Sequence, residues 1–188
     1  MVLTGRAWAD YTDSYEEVDY PDAEYTLGGG INDSDHVVGM YKDENGRHAY
    51  FYDGLQTYTS FDYPVHADDT WAEDINNSGV IAGYYEDLWE KKHGFIYEDG
   101  SFTQIDYPDE PHTITYVTGI NDAGVIVGYF FTGDDGNYTD IDAFYYDGRT
   151  YTMVHYPGAQ YTYLHGLNNL GQMVGYYQIP GSRRGFIY

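Results

Sequence analysis

Two residues of this chain have the types and placement for acid–base chemistry, Glu73 and His165. Each stands two positions before the apolar residue of a recurring Ile/Leu-Asn pair (Ile75-Asn76, Leu167-Asn168), where two further copies hold Gly29 and Thr118. A carboxyl and an imidazole can exchange protons with a bound molecule when burial moves the carboxyl toward neutrality. Two residues earlier on the same side stand Leu27, Trp71, Tyr116 and Tyr163. A concave, mainly aromatic surface with a few polar groups is the usual form of a small-molecule site. The neighbouring positions do not vary: Thr26, Thr70, Thr115 and Thr162 recur, as do Asn32, Asn76, Asn121 and Asn168. The alternative is a filled interior, with Glu73 and His165 as a satisfied pair and the rings as core.

A second group is cationic. Six of the eight basic residues, Lys42, Arg47, Lys91, Lys92, Arg183 and Arg184, fall in segments that differ from copy to copy. Together with His66 and His112 they suit an anionic or polyhydroxylated ligand; the other account is neutralisation of nearby acids such as Asp43, Glu44 and Glu90. A third group, Asp134, Asp135, Asn137, Asp140 and Asp142, gathers the hard oxygen donors that Ca²⁺ prefers, without EF-hand spacing or its terminal Glu. A solvated acidic loop is the competing reading. No other cofactor is expected. No His-x-x-x-His pair, phosphate loop or Gly-x-Ser-x-Gly elbow occurs, and with no cysteine there is no thiol nucleophile or disulfide.

The elements that must position these residues are four copies of one unit. Asp19-Tyr20-Pro21 returns as Asp62-Tyr63-Pro64, Asp106-Tyr107-Pro108 and His155-Tyr156-Pro157. Ile31-Asn32-Asp33 returns as Ile75-Asn76-Asn77, Ile120-Asn121-Asp122 and Leu167-Asn168-Asn169. Each is followed by an apolar strand containing Gly39, Gly83, Gly128 or Gly175, then by a last apolar element such as Gly94-Phe95-Ile96-Tyr97. The period of about 44 to 49 residues is that of a four-stranded propeller blade. Within one copy, strand A runs into Ile-Asn and a type I turn leads to strand B. Asp-Gly then joins strands C and D, and Tyr-Pro ends strand D. The recurring glycines imply close approach of an aromatic ring from the neighbouring blade.

This pattern predicts an all-β fold, a four-bladed β-propeller with each blade a four-stranded antiparallel sheet. Residues 1–14 form an N-terminal extension and 15–188 a single domain, with repeats at about 22–64, 65–108, 109–157, and 158–188 plus 15–21. The fourth copy lacks a strand D, and residues 15–21 are a spare one, so pairing them would complete the last blade and remove an exposed edge. A strand swap between two chains satisfies the same arithmetic; otherwise the chain is a monomer. The unit Gly-Ile-Asn-Asp-x-Gly-x-Ile-Val-Gly-Tyr, followed by His48-Ala49-Tyr50 or His93-Gly94-Phe95 and then Asp-Gly, resembles the HAF-type extracellular repeat family of bacteria. Asp142 and Arg184 stand in place of the histidine in copies three and four. The resemblance implies a β-rich repeat array in an extracellular or periplasmic bacterial protein, and no reaction or catalytic residue. No signal peptide is expected within the chain itself, since Met1 to Arg6 show no basic region followed by an apolar stretch.

Composition narrows the partners. Among 188 residues, 31 acids against 8 bases give a charge of −23, which repels phosphate backbones and excludes a nucleic-acid partner. No apolar run approaches the roughly 18 residues of a membrane helix. With 25 Tyr, 23 Gly and 42% hydrophobic residues the chain is folded, since disordered acidic chains lack aromatics. The leading expectation is a module binding a small polar or glycan-like molecule on the B–C/D–A loop face and channel mouth. The others are a small lyase, cyclase or hydrolase using Glu73 and His165, and a structural or adhesive repeat with no pocket.

Overall fold

The computed structural model describes residues 15–64, 67–108, 114–132 and 140–188; the N-terminal extension 1–14 lies outside them. Among the described residues there are fifteen strands and no helix. Unit one comprises β1 (Tyr25–Ile31), β2 (Val37–Asp43), β3 (Gly46–Tyr52) and β4 (Tyr58–Phe61). Unit two holds β5 (Ala67–Ile75), β6 (Ile81–Asp87), β7 (Lys92–Glu98) and β8 (Ser101–Ile105). Unit three holds β9 (Ile114–Ile120), β10 (Ile126–Thr132), β11 (Asp140–Tyr146) and β12 (Tyr151–Val154). Unit four holds β13 (Tyr161–Leu167), β14 (Met173–Ile179) and β15 (Ser182–Ile187). Strands within each unit pair in sequence order and antiparallel, and a single parallel bridge, Ile141 to Tyr161, joins units three and four.

Local chemistry sets each turn. The Oδ1 of Asn76 accepts the amides of Ser78 and Val80, and Asn32, Asn121 and Asn168 do the same in their own turns. The fourth turn residue has positive φ: Gly79 at 83°, Gly124 at 75° and Gly171 at 79°. Unit one places Asp35 there at 60°, a conformation Asp tolerates better than most residues. The glycines of the second strands are explained differently from the sequence expectation. A Cβ on Gly128 would lie 2.0 Å from the Tyr116 carbonyl oxygen and 2.9 Å from the Phe144 ring. Both neighbours belong to the same unit, so the ring that approaches comes from the adjacent strand and not from the next sheet.

Units pack face to face in one direction. Val38, Ala49 and Phe61 of unit one meet Ile75, Ile81, Tyr85 and Phe95 of unit two. Ala82 and Ile105 meet Ile120, Ile126, Phe130 and Phe144, and Val127, Ala143 and Val154 then meet Leu164 and Met173. The Tyr-Pro tyrosines clamp each junction: Tyr63 stacks on Tyr85 at 3.7 Å, Tyr107 on Phe130 at 3.8 Å and Tyr156 on Tyr177 at 3.7 Å. A polar ladder runs beside the apolar contacts. Asn32 donates through Nδ2 to the Asn76 carbonyl, Asn76 to that of Asn121, and Asn121 to that of Asn168. Asn168 turns back to its own Gln172.

That last bond marks a correction. Residues 15–20 form no strand, and β15 pairs only with β14 among the described residues. Instead Val18 and Tyr20 pack on unit one beside Tyr41, Tyr50 and Tyr52, with Tyr20 stacked on Tyr41 at 3.7 Å. Tyr52 donates to Glu16, and the Asp19 amide donates to the Tyr58 hydroxyl. The segment sits where the outer strand of a preceding unit would end, and the four units make an open arc. The physical reason is rotational: a ring needs the turns between successive sheets to sum to a full circle. Here Ile31 at one end and Val174 and Ile187 at the other stay exposed.

Candidate functional site

The first strands β1, β5, β9 and β13 are neighbours along the inner side of the arc. Each contains an extra residue relative to its partner strand at an equivalent position, and β5 has a second between Ala67 and Asp69. Register skips between Gly28 and Gly30, between Ala72 and Asp74, and between Leu164 and Gly166. In unit three, Val127 and Gly128 pair with Gly119 and Val117. The skipped residues are Gly29, Glu73, Thr118 and His165, the very positions that vary between copies. A β-bulge releases one residue from the ladder and re-aims its side chain.

What each bulge does depends on the residue. Gly29 admits unit two, since a Cβ there would lie 2.4 Å from the Ala72 carbonyl oxygen. The Thr118 hydroxyl donates to the Leu164 carbonyl at 2.8 Å and to that of Val127 at 3.3 Å, tying unit three to unit four. Glu73 has no hydrogen-bond partner among the described residues. Burial, then the neighbouring Asp74, raises its carboxyl above the ordinary range, and the phenols of Tyr84 and Tyr129 feel its charge. Asp74 is also raised by burial, although its carboxylate accepts the amides of Ile120 and Ile75, both at 2.9 Å. His165 is solvent-facing, yet desolvation by the surrounding rings lowers its imidazole.

Those rings form a continuous row across three units. Trp71 stacks on its cross-strand partner Tyr84 at 4.8 Å, Tyr116 on Tyr129 at 4.8 Å and Tyr163 on Tyr176 at 4.4 Å. Edge contacts join the pairs, Tyr84 to Tyr116 at 4.8 Å and Tyr129 to Tyr163 at 5.1 Å. An arginine lies at each end: Arg47 of unit one over Trp71 at 5.9 Å, and Arg183 over Tyr176 at 5.7 Å. His165 lies 5.4 Å from Tyr176 and 6.0 Å from Tyr129. Burial pushes the Tyr84 and Tyr129 phenols well up and that of Tyr163 to about 12, so all three are protonated hydrogen-bond donors at neutral pH.

Sequence reasoning thus found Trp71, Tyr116, Tyr163, Glu73 and His165, which the fold brings onto one row. Glu73 and His165 do not pair directly; Tyr129 is the group near both. Missed were Tyr84, Tyr129 and Tyr176. The aromatic directly after Gly83, Gly128 and Gly175 was the available signal for the three tyrosines, and Met40 breaks it in unit one. Of the predicted cations, Arg183 caps the row while its Nε donates to Gln178, Lys92 is paired with Glu86, and Arg184 is exposed on β15. Lys42 and Arg47 bridge to Glu24 and Asp69, so local neutralisation accounts for part of the set. His66, His112, Asp134, Asp135 and Asn137 lie outside the described residues. Asp140 opens β11, and Asp142 is bonded to His155 Nδ1 at 2.6 Å, which occupies one oxygen of the expected calcium group. A polar cavity of about 270 Å³ lies at the opposite, turn-bearing face, lined by ladder residues such as Asn76, Asp122 and Asn169.

No family model matches the chain, and no curated protein matches it. Solved structures resemble it at low identity. A triple-arginine mutant of AofleA from Arthrobotrys oligospora is 12% identical, with 89% of this chain and 55% of that one covered and a TM-score of 0.49. The β-propeller domain of the Trilobed protease from Pyrococcus furiosus is 11% identical, with 81% and 49% covered and a TM-score of 0.47. An Aleuria aurantia lectin mutant in complex with alpha-methyl-L-fucoside is 13% identical, with 87% and 56% covered and a TM-score of 0.46. The chain spans about half the length of each.

Proposed function

We propose that the four units are propeller-type blades and that the inner row from Trp71 to Tyr176 binds a small polyhydroxylated ligand of the glycan class. The observation carrying this reading is the row itself: six rings bounded by Arg47 and Arg183, with two bulge residues, Glu73 and His165, free of the ladder beside it. A sugar ring offers an apolar C–H face to stack on an aromatic and hydroxyl edges for a carboxyl, imidazole or phenol. Chain charge favours a neutral ligand over an anionic one, because only the two ends of the row are cationic. The resemblance to extracellular repeats is the ground for proposing such a module outside the bacterial cytoplasm.

Calorimetric titration of the full chain with a panel of neutral methyl glycosides and disaccharides tests this. One or more should bind, and Trp71→Ala should weaken that affinity by roughly tenfold or more. A panel with no binder, or a binder indifferent to Trp71→Ala and Tyr163→Ala, refutes the reading. Catalysis is the second reading, and the opposed displacements of Glu73 and His165 favour it. Burial shifts the Glu73 carboxyl toward its protonated form and the His165 imidazole toward its neutral form, the directions an acid and a base beside one ligand require. In that case Glu73→Gln abolishes turnover while leaving affinity intact.

A further inference from the structure

The two ends of the arc are complementary, and we infer that a second copy of this chain docks head to tail, the last unit of one copy against the first unit of the other. Each internal junction joins a trailing face to a leading face. On the trailing face, unit four presents Val174 and Ile187 where units one to three use Val38 and Phe51, Ala82 and Ile96, Val127 and Tyr145. Val174 is 52% and Ile187 75% exposed, against 0% for Val38 and Val127. With Leu167 and Met173 they line an open, largely apolar cavity of about 380 Å³. On the leading face, unit one presents Ile31 at 63% exposure, where Ile75 is at 3% and Ile120 at 5%. An apolar face at each end, of opposite type, is what a head-to-tail contact consumes.

Polar registration selects the occupant and its orientation. The residue after each ladder Asn alternates, Asp33, Asn77, Asp122, Asn169. Asn77 donates through Nδ2 to the carboxylates of Asp33 and Asp122, and Asn169 donates to Asp122. Every junction therefore sets an amide against a carboxylate. The series starts with an acid and finishes with an amide, so Asn169 of one copy meeting Asp33 of the other continues the alternation without a fault. Two leading faces together would oppose two Asp33 carboxylates, which disfavours the symmetric arrangement. Asn168, whose Nδ2 turns back to Gln172, would find the Asn32 carbonyl of the other copy, just as Asn32 finds that of Asn76 within one copy.

The N-terminal segment fits the same partner. Tyr20 already holds the clamp position on Tyr41 that Tyr63, Tyr107 and Tyr156 hold at the internal junctions, and in those three the tyrosine ends the outer region of the preceding unit. A unit four arriving there brings the unpaired edge of β15 beside residues 15–19, which supply its outer strand. Two reciprocal contacts close a dimer of eight units; a mismatch in rotation would instead extend the contact into a filament.

Multi-angle light scattering on the full chain between 1 and 100 µM tests the inference. The native chain should run as a dimer, and Ile31→Asp and Ile187→Asp should each run as a folded monomer, both sites being exposed within one copy. Mixing the two variants should restore a dimer, because each retains one intact face of the opposite kind; this rescue distinguishes head-to-tail docking from a symmetric contact. A native chain monomeric at 100 µM, variants that remain dimeric, or a mixture that stays monomeric overturns it. Protection from exchange, in a monomer, of the Gly185 and Ile187 amides, which face the outer edge of β15 because Tyr188 and Met173 exchange both of their bonds, would mean closure within one chain, and overturns it equally.

Discussion

The Asn ladder offers a comparison within one molecule, because the same side chain in the same turn has different surroundings in units two and four. Asn76 is buried and makes three hydrogen bonds, accepting from Ser78 and Val80 and donating to the Asn121 carbonyl at 3.1 Å. Asn168 also makes three, with Leu170 and Gln172, but all are exposed and local. At roughly 0.5–1.5 kcal/mol per bond, Asn76→Ala should cost about 3 kcal/mol, whereas water can replace the bonds of Asn168 and Asn168→Ala should cost about 1 kcal/mol or less. Aspartate at each site separates the turn from the ladder. It retains the two acceptor bonds and loses the amide donor, so Asn76→Asp should still cost about 2 kcal/mol and Asn168→Asp close to nothing. Urea unfolding at equilibrium, followed by the near-ultraviolet signal of the tyrosines, measures all four in an Ile187→Asp background that removes docking of a second copy. Equal losses at Asn76 and Asn168 in that background would refute the open arc, since they require a unit beyond Asn168.

Three further outcomes follow from particular contacts. Gly128→Ala should cost about 3 kcal/mol by chemical unfolding, because its Cβ meets the Tyr116 carbonyl, whereas Gly166→Ala, with only a Val174 methyl at 3.9 Å, should be nearly neutral. His93 is held above its ordinary value first by its bond to Asp106, with burial opposing; its contribution is complete below about pH 6.5 and fades as pH rises through the elevated folded value. Melting temperature should therefore fall from pH 6 to pH 9, and His93→Gln should flatten that slope. Glu73 is raised by burial and Asp74, so its ionisation opposes folding; Glu73→Gln should raise Tm at pH 7 and leave it unchanged below about pH 4, where both forms are neutral.

Much of the architecture could be read from the chain because the repeat period carries it. Asn at the turn start, glycine or Asp35 at the fourth turn position and Tyr-Pro at the strand end recur with fixed spacing, and each has a local physical reason. Closure had no such signal. Whether four sheets complete a circle depends on the rotation at each junction, which is set by contacts such as those of Ala72, Gly29 and Asp74 across units and leaves no periodic trace. Residues 15–21 carry the pattern of an outer strand, yet residues 15–20 form none, and Tyr20 alone takes the clamp position. What the pattern lacked was the sheet it would join.

The site was half legible, and the missing half had a readable cause. In β5 the buried residues run Thr70, Ala72 and then Ile75, and in β9 the buried residues that carry side chains run, after Ile114, Thr115, Val117 and then Ile120. Strict alternation would have placed the third at an even step from the second; the odd step is the mark of an inserted residue, present in every copy. Once the bulge is recognised, the variability of Gly29, Glu73, Thr118 and His165 stops being a curiosity. A residue released from the ladder can change with little cost to the repeat, although paired inner positions such as Leu27, Trp71, Tyr116 and Tyr163 also differ between units. Two of the four releases serve assembly, glycine for close approach and threonine for a cross-unit bond. The remaining two, an acid and an imidazole whose side chains have no hydrogen-bond partner among the described residues, stand beside the row of rings that crosses three units, where release from the ladder leaves both side chains free to meet a bound molecule.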